Sequence, residues 1–359
     1  MDKRSGAGRG CLLGLAVGDA MGYPVDKKSW PEICEMYGPN GLLGYDLANG
    51  SADVTSYTQI AAFVCNGLLL GATRQDPERY SQYLALALRE WAKSQQFRTN
   101  AERTRCWVAQ VPELRRRLCM DTRILDALSR PNLGTPEAPV FRSHTPAVLT
   151  GAVAVGMFAD RLSREQLLRL GAEVVAFTHG YPESFLCGSF LSCTVATVVQ
   201  DPQLPLSRVF AGVTDEVCTF FAEKYPEETA LLRQKVEKAM NLTRDPELSP
   251  LAAMTVLECV DAMDCLAGAV YACCIHPANF DEAMIVSVNH SGRSCATAGL
   301  TGAILGARLG QEALPEFYLE SLEAAPVLEE LAQDTVDVRQ ITRIFDDSWD
   351  QKYVQGLPV

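Results

Sequence analysis

Apolar residues recur at helical spacing along almost the whole chain, and that pattern predicts an all-α fold. The clearest stretch is 77–93, an amphipathic run that opens with Pro77 at a first helical position and Asp76 placed to cap it. Similar patterns predict helices at about 163–178, 205–223, 226–241, 249–274, 279–287 and 314–323. No period-two run rich in β-branched residues competes with them. Pro and Gly mark loops at 38–54 and at Pro131 to Pro139. After about 324 the pattern continues as one more helix, expected to fray from Trp349 to Val359. With no fixed-period repeat and no low-complexity linker, residues 1–359 are expected to form a single domain.

Two segments break the usual helix composition. Gly10, Gly14, Gly18 and Gly22 recur at spacing four, and Ala296, Ala298, Gly299, Gly302, Ala303, Gly306 and Gly310 crowd a second stretch near the other end. Glycine costs roughly 1 kcal/mol per site inside a helix, so the concentration requires a compensating gain. Close backbone approach supplies one, and the expectation is two buried helices pressed face to face.

Composition narrows the classes. A chain of 359 residues that is 48% apolar can bury a large core. Its formal charge of -12 opposes attraction to nucleic acid or to an anionic membrane surface. The one concentrated basic run, Arg115-Arg116-Arg117, reads as a solvated helix face. No uninterrupted apolar run of membrane-spanning length is expected, because acidic residues and turn signals interrupt each candidate. The 13 cysteines are odd in number and follow no secretory segment, which points to reduced thiols in a cytoplasmic protein. No CxxC pair occurs, so the cysteines read as small buried hydrophobes, not as a zinc site.

The chemistry lies in three motifs. Gly18-Asp19-Ala20-Met21-Gly22-Tyr23-Pro24-Val25-Asp26 closes the first glycine-rich helix. Thr55-Ser56-Tyr57-Thr58-Gln59 opens a later one, and Ser291-Gly292-Arg293-Ser294-Cys295-Ala296-Thr297-Ala298-Gly299 opens the second small-residue helix. Together they resemble the ADP-ribosylglycohydrolase family, whose corresponding motifs read G-D-A-L-G-x-P-x-E, T-D-D-T and G-G-D-T/S-D-T-x-A-x-I-A-G. Thr178-His179-Gly180-Tyr181-Pro182-Glu183 and the 262–271 segment resemble further family segments, so the likeness spans about 8–323 and leaves a C-terminal helix and tail at 324–359. It implies a compact, orthogonal multi-helix bundle.

The resemblance also implies a site with its ligands exchanged. In the family, four aspartates of the second and third motifs, helped by neighbouring hydroxyls, hold two magnesium ions that bind ribose hydroxyls and position water for glycosidic cleavage. Those four positions are Ser56, Tyr57, Arg293 and Cys295 here. Hard divalent cations require oxygen ligands, and Asp19, Thr55, Thr58 and Ser294 offer one carboxylate among hydroxyls. Arg293 places a permanent positive charge where a dication would sit. At ~4 Å and an effective dielectric near 20, a like-charge contact costs about 4 kcal/mol, and a dication roughly doubles it. No metal cofactor is therefore expected.

The expected protein is a pseudoenzyme of this family. Its cleft, drawn from Asp19, Thr55, Ser56, Tyr57, Thr58, Ser291, Gly292, Arg293, Ser294 and Cys295, would receive an ADP-ribose-like or other phosphorylated ligand, with Arg293 and free amides at the helix start as the anion receptor. Against this stands an internal ion pair of Arg293 with Asp19 or Asp26. One alternative is a metal-independent glycohydrolase in which Asp26 activates water and Arg293 stabilises developing charge. Another is a structural or partner-binding protein whose cleft Tyr57 and Arg293 fill; no protein partner is specified by the sequence. His290 and Cys295 lie close enough in sequence for a catalytic pair, but a buried thiol at Cys295 is the favoured expectation. His144 and His179 are expected in loops that line the cleft, and His276 at a helix end.

Overall fold

A computed structural model of the chain describes residues 3–47, 50–96, 104–338 and 347–354. Among them no β-strand occurs, and one isolated bridge joins Ala52 to Leu322. The helices are α1 (Lys3–Gly22), α2 (Trp30–Tyr37), α3 (Ser56–Thr73), α4 (Tyr80–Gln96), α5 (Thr122–Ser129) and α6 (Thr150–Gly156). There follow α7 (Arg164–Ala176), α8 (Pro182–Gln200), α9 (Leu206–Phe221), α10 (Pro226–Leu242), α11 (Pro250–Leu257) and α12 (Ala262–Ile275). The last are α13 (Phe280–Val288), α14 (Ser294–Leu309), α15 (Glu316–Glu320), α16 (Ala325–Asp337) and α17 (Asp347–Tyr353).

The glycine stripes explain the centre of this all-α architecture. A Cβ added to Gly10, Gly14 or Gly18 would overlap the carbonyl oxygen of Gly306, Gly302 or Ala298. The reverse also holds, since a Cβ on Gly302 or Gly306 would overlap the carbonyl of Gly14 or Gly10. Backbone therefore meets backbone along the whole α1–α14 contact, and no side chain separates the helices. Around this pair pack α3, α13 and α16, and a second group of α6 to α10 with α12 completes the fold. The larger of two buried apolar clusters runs from Cys11 to Tyr353.

Local signals set most helix starts. Ser163 and Gln166 form a reciprocal capping box at α7, and Asn279 caps α13 through the Glu282 amide. Elsewhere the structure corrects the sequence pattern. Asp76 does not cap: Pro77–Arg79 forms a 3-10 turn, the carboxylate lies 3.6 Å from Arg79, and α4 begins at Tyr80. The predicted 249–274 helix is two helices, broken where Glu258 and Cys259 take left-handed backbone with φ of 64° and 54°. Asp261 then caps α12 by accepting the Asp264 amide at 2.8 Å. The 314–323 pattern yields only the short α15, because Leu314 and Leu322 reach the core from extended flanks.

Three further corrections follow. Arg115-Arg116-Arg117 is no helix face; it ends a 3-10 turn and enters a loop, where Arg116 pairs with Asp53 and Glu323. Trp349 and Tyr353, expected to fray, are buried on α17, where the Tyr353 hydroxyl donates to Asp334 at 2.6 Å; residues 355–359 lie outside the described residues. Finally, α8 is by length and composition able to cross a membrane, contrary to the run-length reading. It is 78% buried inside the fold over its most apolar window, as a core helix would be.

Candidate functional site

Contact between α1 and α14 fixes the site. Because Gly18 and Gly22 carry no side chain, the end of α1 lies against the first turn of α14, and a Cβ on Gly22 would stand 2.6 Å from the Cys295 amide nitrogen. That approach brings Asp19 and Asp26 to the helix starts that carry the other two motifs.

Asp19 is fully buried and faces the N-terminus of α3. Its carboxylate accepts the Thr55 amide at 2.8 Å, the Thr55 hydroxyl at 2.6 Å, the Thr58 amide at 3.1 Å and the Thr58 hydroxyl at 2.7 Å. Three of these donors converge on Oδ2 and one reaches Oδ1, so Thr55 and Thr58 take up most of its acceptor capacity. Burial raises its pKa to about 6, and the four bonds oppose that rise. Thr55 and Thr58, read from sequence as cleft oxygens, point inward and serve Asp19.

The two positions between them do different work. Ser56 donates its hydroxyl to the Cys119 carbonyl at 3.0 Å, and its amide donates to the Leu118 carbonyl at 3.1 Å. Tyr57 is buried against Cys265, Cys295 and Ala296, and burial pushes its phenol well above the ordinary range. Gln59 bridges the Arg116 carbonyl to Trp91 and Gln95.

At the start of α14 most polar groups are engaged. The Ser291 hydroxyl accepts the Trp30 amide at 2.8 Å, the Gly292 carbonyl accepts the Lys27 amide at 2.9 Å, and the Arg293 amide donates to the Cys259 carbonyl at 2.8 Å. Ser294 is fully buried and donates to the Val288 carbonyl at 2.9 Å. The Cys295 amide donates to Asp26 Oδ1 at 3.2 Å. The chain's own carboxylate thus occupies part of the helix N-terminus expected to be free for an anion.

Arg293 forms an ion pair with neither Asp19 nor Asp26. Its half-buried guanidinium has no hydrogen-bond or ion-pair partner among the described residues. It still acts on Asp26 over a longer range. Burial raises the Asp26 carboxyl, while Lys27, the Cys295 amide and Arg293 hold it down. The Asp26 side chain is 5% exposed, with Lys27 Nζ 3.7 Å away.

The histidines stand apart from this chemistry. His290 turns inward to the Ser287 carbonyl at 2.9 Å, and burial lowers its pKa to about 4. It therefore does not activate Cys295, whose own thiol is pushed well up by burial and by Cys119. His179 is held between Thr145 and Thr178, each at 2.8 Å, and burial likewise lowers it to about 4. His144 is exposed and stacks on Tyr181 with ring centroids 3.8 Å apart, and His276 ends α12 as expected.

Sequence reasoning missed Cys119. It lies in no motif, yet its Sγ is 3.6 Å from Cys295 Sγ and 4.0 Å from Asp26 Oδ2. It also takes left-handed backbone, with φ of 51°. The only signal was that 104–121 is neither periodic nor low in chemistry-bearing residues.

An all-α chain with three motif-bearing helix ends converging in this way has the fold of a solved structure described as an ADP-ribosylglycohydrolase-related protein complex. The TM-score is 0.59 at 19% identity, over 94% of this chain and 99% of the other. A search of curated proteins finds no match. The sequence profile of the ADP-ribosylglycohydrolase family matches residues 2–344, and the chain belongs to that family.

Proposed function

We propose that this family member lacks two-magnesium hydrolysis and instead receives an ADP-ribose-like or other phosphorylated ligand at Arg293. The observation that carries the reading is the contrast between Asp19 and Arg293. The carboxylate retained in the first motif already takes four donors from Thr55 and Thr58, whereas the guanidinium has no hydrogen-bond or ion-pair partner among the described residues. The residues present do not fit two magnesium ions: Ser56, Tyr57 and Cys295 supply no carboxylate, their side chains hold or pack against neighbouring elements, and Arg293 repels a dication. A planar guanidinium at the start of a long helix matches the bidentate geometry of a phosphate or diphosphate.

Calorimetric titration with ADP-ribose, first in magnesium and then in chelator, tests this. Equal binding in both is expected. Binding that requires magnesium overturns the reading, and absence of binding supports a closed cleft filled by Tyr57.

A second reading rests on Asp26. Its buried carboxyl, raised by desolvation and within the field of Arg293, has the character of a general base for metal-independent glycosidic cleavage. Release of ADP-ribose from an ADP-ribosylated substrate in excess chelator, abolished by Asp26→Asn, would establish it.

A further inference from the structure

We infer that Cys119, Cys295 and Asp26 form a binding site for a single thiolate-seeking divalent cation of the zinc class. Each comes from a different segment: the turn after α1, the loop before α5 and the first turn of α14. One ligand atom from each lies within 4.8 Å of the other two. Tetrahedral zinc with Zn–S bonds of about 2.3 Å places two sulfurs about 3.8 Å apart, and a sulfur and a carboxylate oxygen about 3.5 Å apart. The observed separations are 3.6 Å between the sulfurs and 4.0 Å from Cys119 Sγ to Asp26 Oδ2. Small side-chain rotations close the remaining difference.

The surroundings orient all three ligands. Asp26 Oδ1 accepts the Cys295 amide, and Oδ2, 4.0 Å from Cys119 Sγ, faces the metal position with the exposed Lys27 Nζ 3.7 Å away, an ammonium that a bound cation would displace toward solvent. Ser56 holds the Cys119 carbonyl, and Cys119 keeps a left-handed backbone that a non-glycine residue adopts only when its surroundings impose it. Among the described residues no fourth His, Cys, Asp or Glu belongs to the cluster, so one position is left for water or an incoming ligand, as in three-ligand zinc sites.

Charge also separates this site from the magnesium centre of the family. Two thiolates and a carboxylate around a dication sum to -1, so Arg293 and Lys27 complement the loaded site, whereas Arg293 opposes a pair of dications in a neutral setting. Thiolates select zinc over magnesium by softness. On binding, each thiol gives its proton to solvent and each sulfur donates a lone pair to the metal. The site stands apart from the anion reading, because it is read with metal alone.

The test uses the full chain, reduced, stripped with chelator and titrated with zinc(II) or cobalt(II) alone. We expect one zinc per chain by elemental mass spectrometry and a thiolate-to-cobalt charge-transfer band in the near ultraviolet. Cys119→Ser and Cys295→Ser should each weaken uptake at least about 100-fold and remove the band, and Asp26→Asn should weaken it about tenfold. Cys34→Ser, a thiol of α2 outside the cluster, should change neither readout. Circular dichroism confirms that each variant is folded. Uptake equal in the wild type and in Cys119→Ser/Cys295→Ser, a cobalt spectrum without the thiolate band, or a Cys119–Cys295 disulfide that persists under reductant would each overturn the inference.

Discussion

The Asp19 carboxylate accepts two hydrogen bonds from Thr55, one from its amide at 2.8 Å and one from its hydroxyl at 2.6 Å. With the two bonds from Thr58, this ties Asp19 to the start of α3, where Thr55 is the N-cap and accepts the Tyr57 amide. Asp19→Asn puts a donating NH2 against donors, so the variant should lose about 2–4 kcal/mol despite removing a buried charge. The pH dependence has a definite sign. Since the folded pKa is raised to about 6 from an ordinary 3.8, the folded state holds the extra proton between those values. Asp19's contribution therefore falls as pH rises from about 4 to 6 and is flat above. Urea denaturation of both proteins across that range should show the difference shrinking; a difference that grows with pH contradicts the assignment.

Glycine substitutions should divide sharply by location. Gly14→Ala pushes a methyl into the Gly302 carbonyl, where neither backbone yields, and should cost about 3 kcal/mol. Gly212→Ala, on the exposed face of α9 with nothing within 4 Å, should stabilise by up to about 1 kcal/mol. Chemical denaturation of the two variants checks both.

Anion binding should answer to charge at the start of α14. Arg293→Gln should weaken ADP-ribose about 10- to 100-fold, the value of a charge-assisted pair. Asp26→Asn should tighten it several-fold, because the native carboxylate already occupies the Cys295 amide and repels an incoming anion. Calorimetry on the two variants, repeated at high salt, would show the first effect diminished by screening.

Glu258 is exposed, with φ of 64° and ψ of -42°. Glu258→Gly should stabilise the protein by about 1 kcal/mol by relieving that backbone. Thermal denaturation measures it, and an unchanged or lowered midpoint argues that the Glu258 side chain contributes elsewhere.

Periodicity and caps carry information that lies close along the chain, and the structure agrees with them at such places. Ser163 and Asn279 announce α7 and α13 from their own neighbours. The break after α11 was hidden, because it is set from a distance: a Cβ on Gly292 would overlap the Cys259 carbonyl, so the 258–259 turn is moulded to the start of α14. Cys119 was hidden for the same reason, since Ser56 pins its carbonyl from another helix. For Arg293 the sequence supplied the charge but not its direction. Asp19, one of the two acids expected to pair with it, is engaged by hydroxyls and amides whose reach no spacing reveals.

The α1–α14 contact joins residues near 10 to residues near 306. During synthesis, α1 emerges ahead of α2 to α14, and its glycine face has no partner until all of these have followed. Closure is thus a late, high-contact-order event, and the loop it closes carries nearly every other helix. Chains truncated before α14 should stay collapsed but unlocked, and the motif-bearing ends, which meet only across this contact, are assembled in the last step of folding.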